Sequence, residues 1–207
     1  MGRFLLVGFF VLGCVIGVFK ILPESITNSN ITTWVLYALM FQVGISIGSD
    51  KKNKGILKSV SIKLLLIPLA TIVGTLTFSA LVSFLLVNLS VTDCLAIGSG
   101  FAYYSLSSIL ITDLKEASLG VQMAAELGTI ALIANIIREI IVLLFAPQLY
   151  KIFGKFAPIC VGGATTMDTT LPIITTVCGK ELVFISIFHG VIVDFTVPFF
   201  VSFFCGF

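Results

Sequence analysis

The chain has 207 residues, 58% of them hydrophobic and only 11% charged, with a formal net charge of +2. Soluble domains carry about 25% charged residues, so this chain lacks the polar surface to cover itself and reads as an all-α integral membrane protein. Its sequence holds no low-complexity tract, no soluble domain and no basic arm for nucleic acid.

Taken in order, Phe4 to Leu22 forms a first apolar run of about 20 residues, the length that a hydrocarbon core requires. Pro23 and the polar stretch Glu24 to Asn30 end it. Ile31 to Ile47 is a second span, with Trp34 and Tyr37 as aromatic anchors near one interface. The basic cluster Lys51, Lys52, Lys54 and Lys58 follows, and cationic loops stay cytoplasmic, which places the amino terminus inside. Ile62 to Leu89 is a third span, bent around Pro68. Val121 to Phe145 is the fourth, stopped by Pro147, and Leu182 to Phe204 is the last.

Two stretches interrupt this pattern. Gly98 to Ser108 is apolar enough to enter a membrane yet dense in glycine and serine. Gly162 to Pro172 carries an acid, four threonines, two glycines and a proline between apolar flanks. If both turn back, Arg3, Lys51, Lys52, Lys54, Lys58, Lys63, Lys151, Lys155 and Lys180 all lie inside, with only Lys20 and Lys115 outside. That fits the distribution of cations across membranes better than two full crossings. The expected architecture is therefore about five transmembrane helices plus two broken or re-entrant segments, 98–112 and 160–176. The carboxyl terminus is then external. Residues 1–207 form a single transporter domain, with three spans in 1–92 and a substrate half in 93–207. Cys14, Cys94, Cys160, Cys178 and Cys205 form no C-x-x-C pair and read as packing residues; nothing calls for a metal or a cofactor.

A charged side chain at the bilayer centre costs at least about 2.5 to 3.5 kcal/mol. Glu126, Arg138, Glu139, Asp168 and Asp194 all fall at that depth, so an aqueous path or dense pairing is required. Asn135, Arg138 and Glu139 share one helix face by their i, i+3, i+4 spacing. Arg138 either belongs to a binding face or neutralises an acid on a neighbouring helix. Asp168 stands among Thr165, Thr166 and Thr169, where unwound backbone and hydroxyls coordinate ions and small zwitterions. Tyr104, Ser105 and Ser107 mark the first interrupted segment, which is either a second binding element or a helix packed through small residues. His189 either relays protons or bonds a neighbouring backbone.

The strings Gly98-Ser99-Gly100-Phe101-Ala102-Tyr103-Tyr104-Ser105-Leu106-Ser107-Ser108, Ala134-Asn135-Ile136-Ile137-Arg138-Glu139, Gly163-Ala164-Thr165-Thr166-Met167-Asp168-Thr169-Thr170-Leu171-Pro172 and His189-Gly190 resemble, in this order, the LysO family of bacterial lysine exporters. The resemblance covers essentially the whole chain. It implies a carrier of the inner membrane that moves lysine, and the analogue thialysine, out of the cytoplasm. It also implies coupling to protons through intramembrane acids, with sodium as the other candidate ion. By motif position the family's acids fall on Glu139 and Asp168; Asp194 has no counterpart in that pattern. Full-length members carry an amino-terminal block of about three further spans. A small membrane-protein partner or a homo-oligomer would then complete the carrier. Two other classes compete: a non-transporting subunit, and an intramembrane aspartyl enzyme, against which no Gly-x-Gly-Asp string is found.

Overall fold

A computed structural model describes residues 62–86 and 88–207, together with the single positions Ile16 and Phe19. The chain divides into two compact units, Met1–Gly55 and Ile56–Phe207, and the second carries everything that follows. Apart from those two single positions, the predicted spans Phe4 to Leu22 and Ile31 to Ile47, and the cationic loop after them, lie outside the described residues.

Every described element is helical: α1 (Ile62–Ser83), α2 (Val91–Gly98), α3 (Tyr104–Leu119), α4 (Val121–Phe153), α5 (Ala157–Gly162), α6 (Leu171–Cys178) and α7 (Val183–Cys205). Two 3-10 turns, Gly163–Met167 and Lys180–Leu182, complete the chain. The stretches Leu64–Ser83, Val121–Phe153 and Lys180–Cys205 are long and apolar enough to cross a membrane. α1 stops at Ser83 rather than Leu89, because its last amides tighten into i→i+3 turns, Leu85 N donating to Val82 O at 2.9 Å and Leu86 N to Ser83 O at 3.2 Å.

α2 starts on a capping box in which Ser90 Oγ accepts from Asp93 N at 3.1 Å and Asp93 Oδ2 accepts from Ser90 N at 3.2 Å. The same aspartate decides the course of the chain. Its Oδ1 lies 3.1 Å from Lys115 Nζ, near the far end of α3. A straight crossing would separate these groups by most of the length of two helices, 8 and 16 residues long at about 1.5 Å per residue. Residues 91–119 therefore turn back. Residues 157–178 do the same: Ile159 near the start of α5 and Cys178 at the end of α6 share one buried cluster with Val142, Ala146, Ile174 and Leu182.

α4 runs antiparallel to α3 after the tight reversal at Gly120, whose φ is 80°. The two helices close on each other at Gly128, where a Cβ would stand 2.8 Å from Ser108 O. α4 does not end at Pro147 as expected from sequence. It continues to Phe153 and stops at Gly154, with φ 92°. Proline removes one amide from the ladder, the one that would reach Leu143 O. In an apolar setting with Ala146 packed in the buried cluster, the remaining bonds keep the helix intact.

The stretches 62–119 and 121–178 thus have equal lengths and the same plan, a long helix followed by a turned-back segment. Each segment enters from the end where its own long helix finishes, so the second copy is the first inverted. Cysteines introduced at Asp93 and Lys115, in a background otherwise free of cysteine, are expected to be joined within one chain by a short bifunctional thiol reagent. A segment crossing straight through would give no such product.

Candidate functional site

The tips of the two turned-back segments meet beside the midpoint of α4. The first tip, residues 99–103, contains Phe101 at φ 43° and Ala102 at φ 73°. Side chains rarely adopt this left-handed region, and each residue held there costs about 1 to 3 kcal/mol. Asn135 supplies the restraint. Its Oδ1 accepts from Ala102 N at 2.7 Å, and its Nδ2 donates to Ala131 O at 2.9 Å and Ile97 O at 3.2 Å. Gly100 admits that amide, since a Cβ would come 2.3 Å from Asn135 Nδ2.

The second tip begins at Gly163 (φ 59°), where Ala164 N donates to Phe101 O at 2.9 Å and joins the tips through their backbones. Thr165 folds the tip on itself. Its hydroxyl donates to Gly162 O at 2.8 Å, and its carbonyl accepts from Asp168 N at 3.2 Å and Thr170 N at 3.0 Å. Thr166 Oγ1 lies 2.8 Å from Gly163 O, 2.9 Å from Ser186 O and 3.1 Å from His189 Nδ1. The other ring nitrogen, Nε2, lies 2.9 Å from Thr71 Oγ1, whose hydroxyl also faces Ile67 O at 3.1 Å. The fully buried imidazole is a bracket tying α1, α7 and the second tip together. Gly190 lets α7 approach, since a Cβ there would come 2.7 Å from Met167 N.

Arg138 is turned to the carbonyl end of α5. Nε donates to Val161 O at 2.7 Å and Nη2 to Cys160 O at 3.1 Å, with the guanidinium 6.0 Å from the Phe101 ring centroid. This answers the negative end of a helix dipole and adds a cation–π contact. Among the described residues the ion pair is Asp93–Lys115, and neither Arg138 nor Glu139 takes part in one.

The candidate residues therefore fall into two groups. Asn135, Ser107, Thr165, Thr166 and His189 are buried and engaged in internal hydrogen bonds, and Arg138 joins them as a packing group. Asp168, Thr169 and Ser105 are exposed at the tips, and Tyr104 is half-buried beside them. Asp168 is steadied by the amide of Thr169, which donates to its Oδ1. Glu139 is 8% exposed. The Tyr104 phenol lies within electrostatic reach of both Glu139 and Asp168, so these three belong to one neighbourhood. Glu126 stands apart and exposed, about 16 Å along α4 from its midpoint. Tyr103 escaped the sequence reading and lies within electrostatic reach of Asp168 and Asp194; Asp194, read at membrane depth but left outside the acid pair, lies within electrostatic reach of Asp168. The signal for Asp194 was present, because it follows Gly190 by one helical turn.

Asn135→Ala is expected to lower stability by about 2 to 3 kcal/mol, since it orphans the buried Ala102 amide and releases the left-handed tip. Thermal unfolding of the detergent-solubilised protein measures this.

Two interrupted segments that meet tip to tip halfway along a long apolar helix define an all-helical membrane protein with broken, turned-back elements. The chain belongs to the lysine exporter LysO family, whose model it matches over residues 7–205. It is 29% identical over 174 residues to lysine exporter LysO of Escherichia coli (strain K12), covering 83% of this chain and 54% of that protein. It is 33% identical over 180 residues to a putative lysine exporter of Haemophilus influenzae, covering 84% of each. The chain thus spans about half the length of the Escherichia coli relative. No solved structure matches it.

Proposed function

We propose that the chain is a secondary transporter of the inner membrane that exports lysine in exchange for protons. Glu139 carries the reading: an acid more than nine-tenths buried, in no ion pair among the described residues, and sharing Tyr104 with the tip carboxylate of Asp168. An acid on a membrane-spanning helix with no described counter-ion is the group to which we assign the exchange of a proton for a cation. Entry of a substrate ammonium therefore displaces a proton, and departure of the ammonium restores one, which links the two flows.

Thialysine presents the same two ammonium groups on a chain of similar length and is proposed as a second substrate. Thr169, Ser105 and Tyr104 offer hydroxyls around the ligand. Asn135, Arg138, Thr165, Thr166, Ser107 and His189 act one layer back, by fixing the tips. The amino terminus is proposed to be cytoplasmic, so that the segment 91–119 enters from outside and 157–178 from inside. Uptake into everted membrane vesicles, with a panel of basic amino acids, tests the assignment. Lysine should accumulate when a pH gradient is imposed and stop when it is collapsed. Absence of uptake for every basic amino acid, or uptake indifferent to the gradient or dependent on sodium instead, would contradict it.

A further inference from the structure

Bracing α5 occupies only one edge of the Arg138 guanidinium. Nε and Nη2 lie side by side on the planar fork, and their protons go to Val161 O at 2.7 Å and Cys160 O at 3.1 Å. The neighbouring edge, Nη1 with the second proton of Nη2, has no acceptor among the described residues. Nη1 is not one of the sealed polar atoms left without a hydrogen bond, so that edge is open. No described carboxylate pairs with the charge.

A groove of about 690 Å³ lies between α1, α2, α4 and α5. Arg138 lines it together with Cys160 and Val161, whose carbonyls hold the guanidinium. From there the groove reaches Leu86 and Leu89, beyond the end of α1. Its walls are mostly apolar, with Thr75 and Ser79, one helical turn apart on α1, as hydroxyl-bearing members of the lining. The guanidinium is also 6.0 Å from the Phe101 ring centroid, so the inner end of the groove adjoins the first tip.

A groove that ends on an uncompensated cation calls for an anion. Arg138 stands near the middle of α4, with about 20 to 25 Å of helix on either side. Phospholipid phosphates and fatty-acid carboxylates stay at the interfaces, outside a hydrocarbon core of about 30 Å. The anion is therefore a solute that enters the groove. The open edge of an arginine fork takes a carboxylate through two parallel hydrogen bonds, and apolar walls favour an aliphatic carboxylate over inorganic phosphate.

We infer that this groove receives the α-carboxylate of the transported amino acid, and that Arg138 is the specificity-determining residue separating α-amino acids from amines without a carboxylate. This rests on the carrier reading above and deepens it. The acids near the tips answer the ammonium, and Arg138 answers the opposite charge of the same molecule. Its bonds to Cys160 and Val161 fix the fork in place for that contact.

Isothermal titration of the purified protein with lysine, lysinamide and 1,5-diaminopentane tests the inference. Lysinamide replaces the carboxylate by a neutral amide of similar size, and the diamine lacks the group altogether. The wild type should bind lysine about 10- to 100-fold more tightly than either, the range for one charged hydrogen-bonded contact. Arg138→Gln should weaken lysine by a similar factor and leave the other two unchanged. Gly74→Leu guards against a misfolded Arg138 variant. Gly74 lines the groove, and nothing lies within 4 Å of a Cβ placed there, so the new side chain fills the space without a clash. It should weaken lysine binding by a comparable factor with no fall in melting temperature. Wild-type affinity in Gly74→Leu, an unaltered lysine-to-lysinamide ratio in Arg138→Gln, or equal wild-type affinity for lysine and lysinamide would each overturn the inference while lysine binding kept the carrier reading intact. A wild type that binds none of the three ligands would refute the carrier reading, and this inference with it.

Discussion

Asp168→Asn and Glu139→Gln are each expected to reduce lysine export to background while the protein remains in the membrane at normal level. Both substitutions keep the shape of the side chain and most of its hydrogen bonding, and both delete the group that exchanges a proton for an ammonium. The expected cause differs between them. Glu139 is buried, so the glutamine variant removes a carboxylate on α4 that no described cation neutralises. Asp168 is exposed at the second tip, where the asparagine variant leaves the tip folded, because the Thr165 carbonyl still accepts from the amides at 168 and 170. Flux in everted vesicles, normalised to immunoblot signal, separates loss of transport from loss of protein. Near-normal flux in either variant would contradict the exchange mechanism.

Gly163→Ala is expected to have the largest effect on folding. The residue is at φ 59°, where a Cβ is disfavoured, and that Cβ would stand 2.1 Å from Phe101 O and 2.9 Å from Phe101 C. Neither atom can withdraw easily. Phe101 is already left-handed, its neighbour Ala102 is held by Asn135, and its carbonyl bonds the Ala164 amide. The clash and the lost tip-to-tip hydrogen bond together are expected to cost about 3 to 5 kcal/mol, at the upper end for single substitutions. Gly120→Ala and Gly154→Ala are the controls. Both glycines combine a positive φ with ψ of 161° and 178°, a region nearly confined to glycine, but nothing lies within 4 Å of either new Cβ, so backbone strain of about 1 to 3 kcal/mol without a clash is expected. Melting temperature in detergent should fall far more for Gly163→Ala than for the controls; equal falls would mean that the tips do not meet as described.

The features legible in the sequence are those that lipid enforces locally. A polar, glycine-rich stretch between apolar runs has few places to go, which is why the two interrupted segments and the Asp168 tip could be read from residues alone. The turn-back of 91–119 was less direct. It depends on the pairing of Asp93 with Lys115, partners far apart in the chain, and only the overall placement of cations hinted at it. The individual roles of polar side chains were harder still. Thr165, Thr166, Asn135 and His189 look in sequence like ligands, yet in the fold each is occupied with backbone or a neighbouring side chain. A hydroxyl or amide carries no local mark of whether it faces a cavity or a carbonyl. Pro147 was read as a helix stop because its missing amide is a local fact, while the packing of Ala146 that keeps α4 going is not. Asp194 was left outside the acid pair because the family pattern has no counterpart for it. The informative neighbour was Gly190, whose missing side chain lets the second tip lie against α7.

The central claim is that protons and lysine exchange at the acids where the two tips meet. It is tested most directly by reconstituting the purified chain in liposomes loaded with a pH-sensitive dye and imposing a lysine gradient with no initial pH difference. The account predicts that lysine leaving the liposomes drives protons inward, and that Asp168→Asn abolishes both movements together. Lysine flux that moves no protons, or a proton signal that survives in Asp168→Asn, would contradict it.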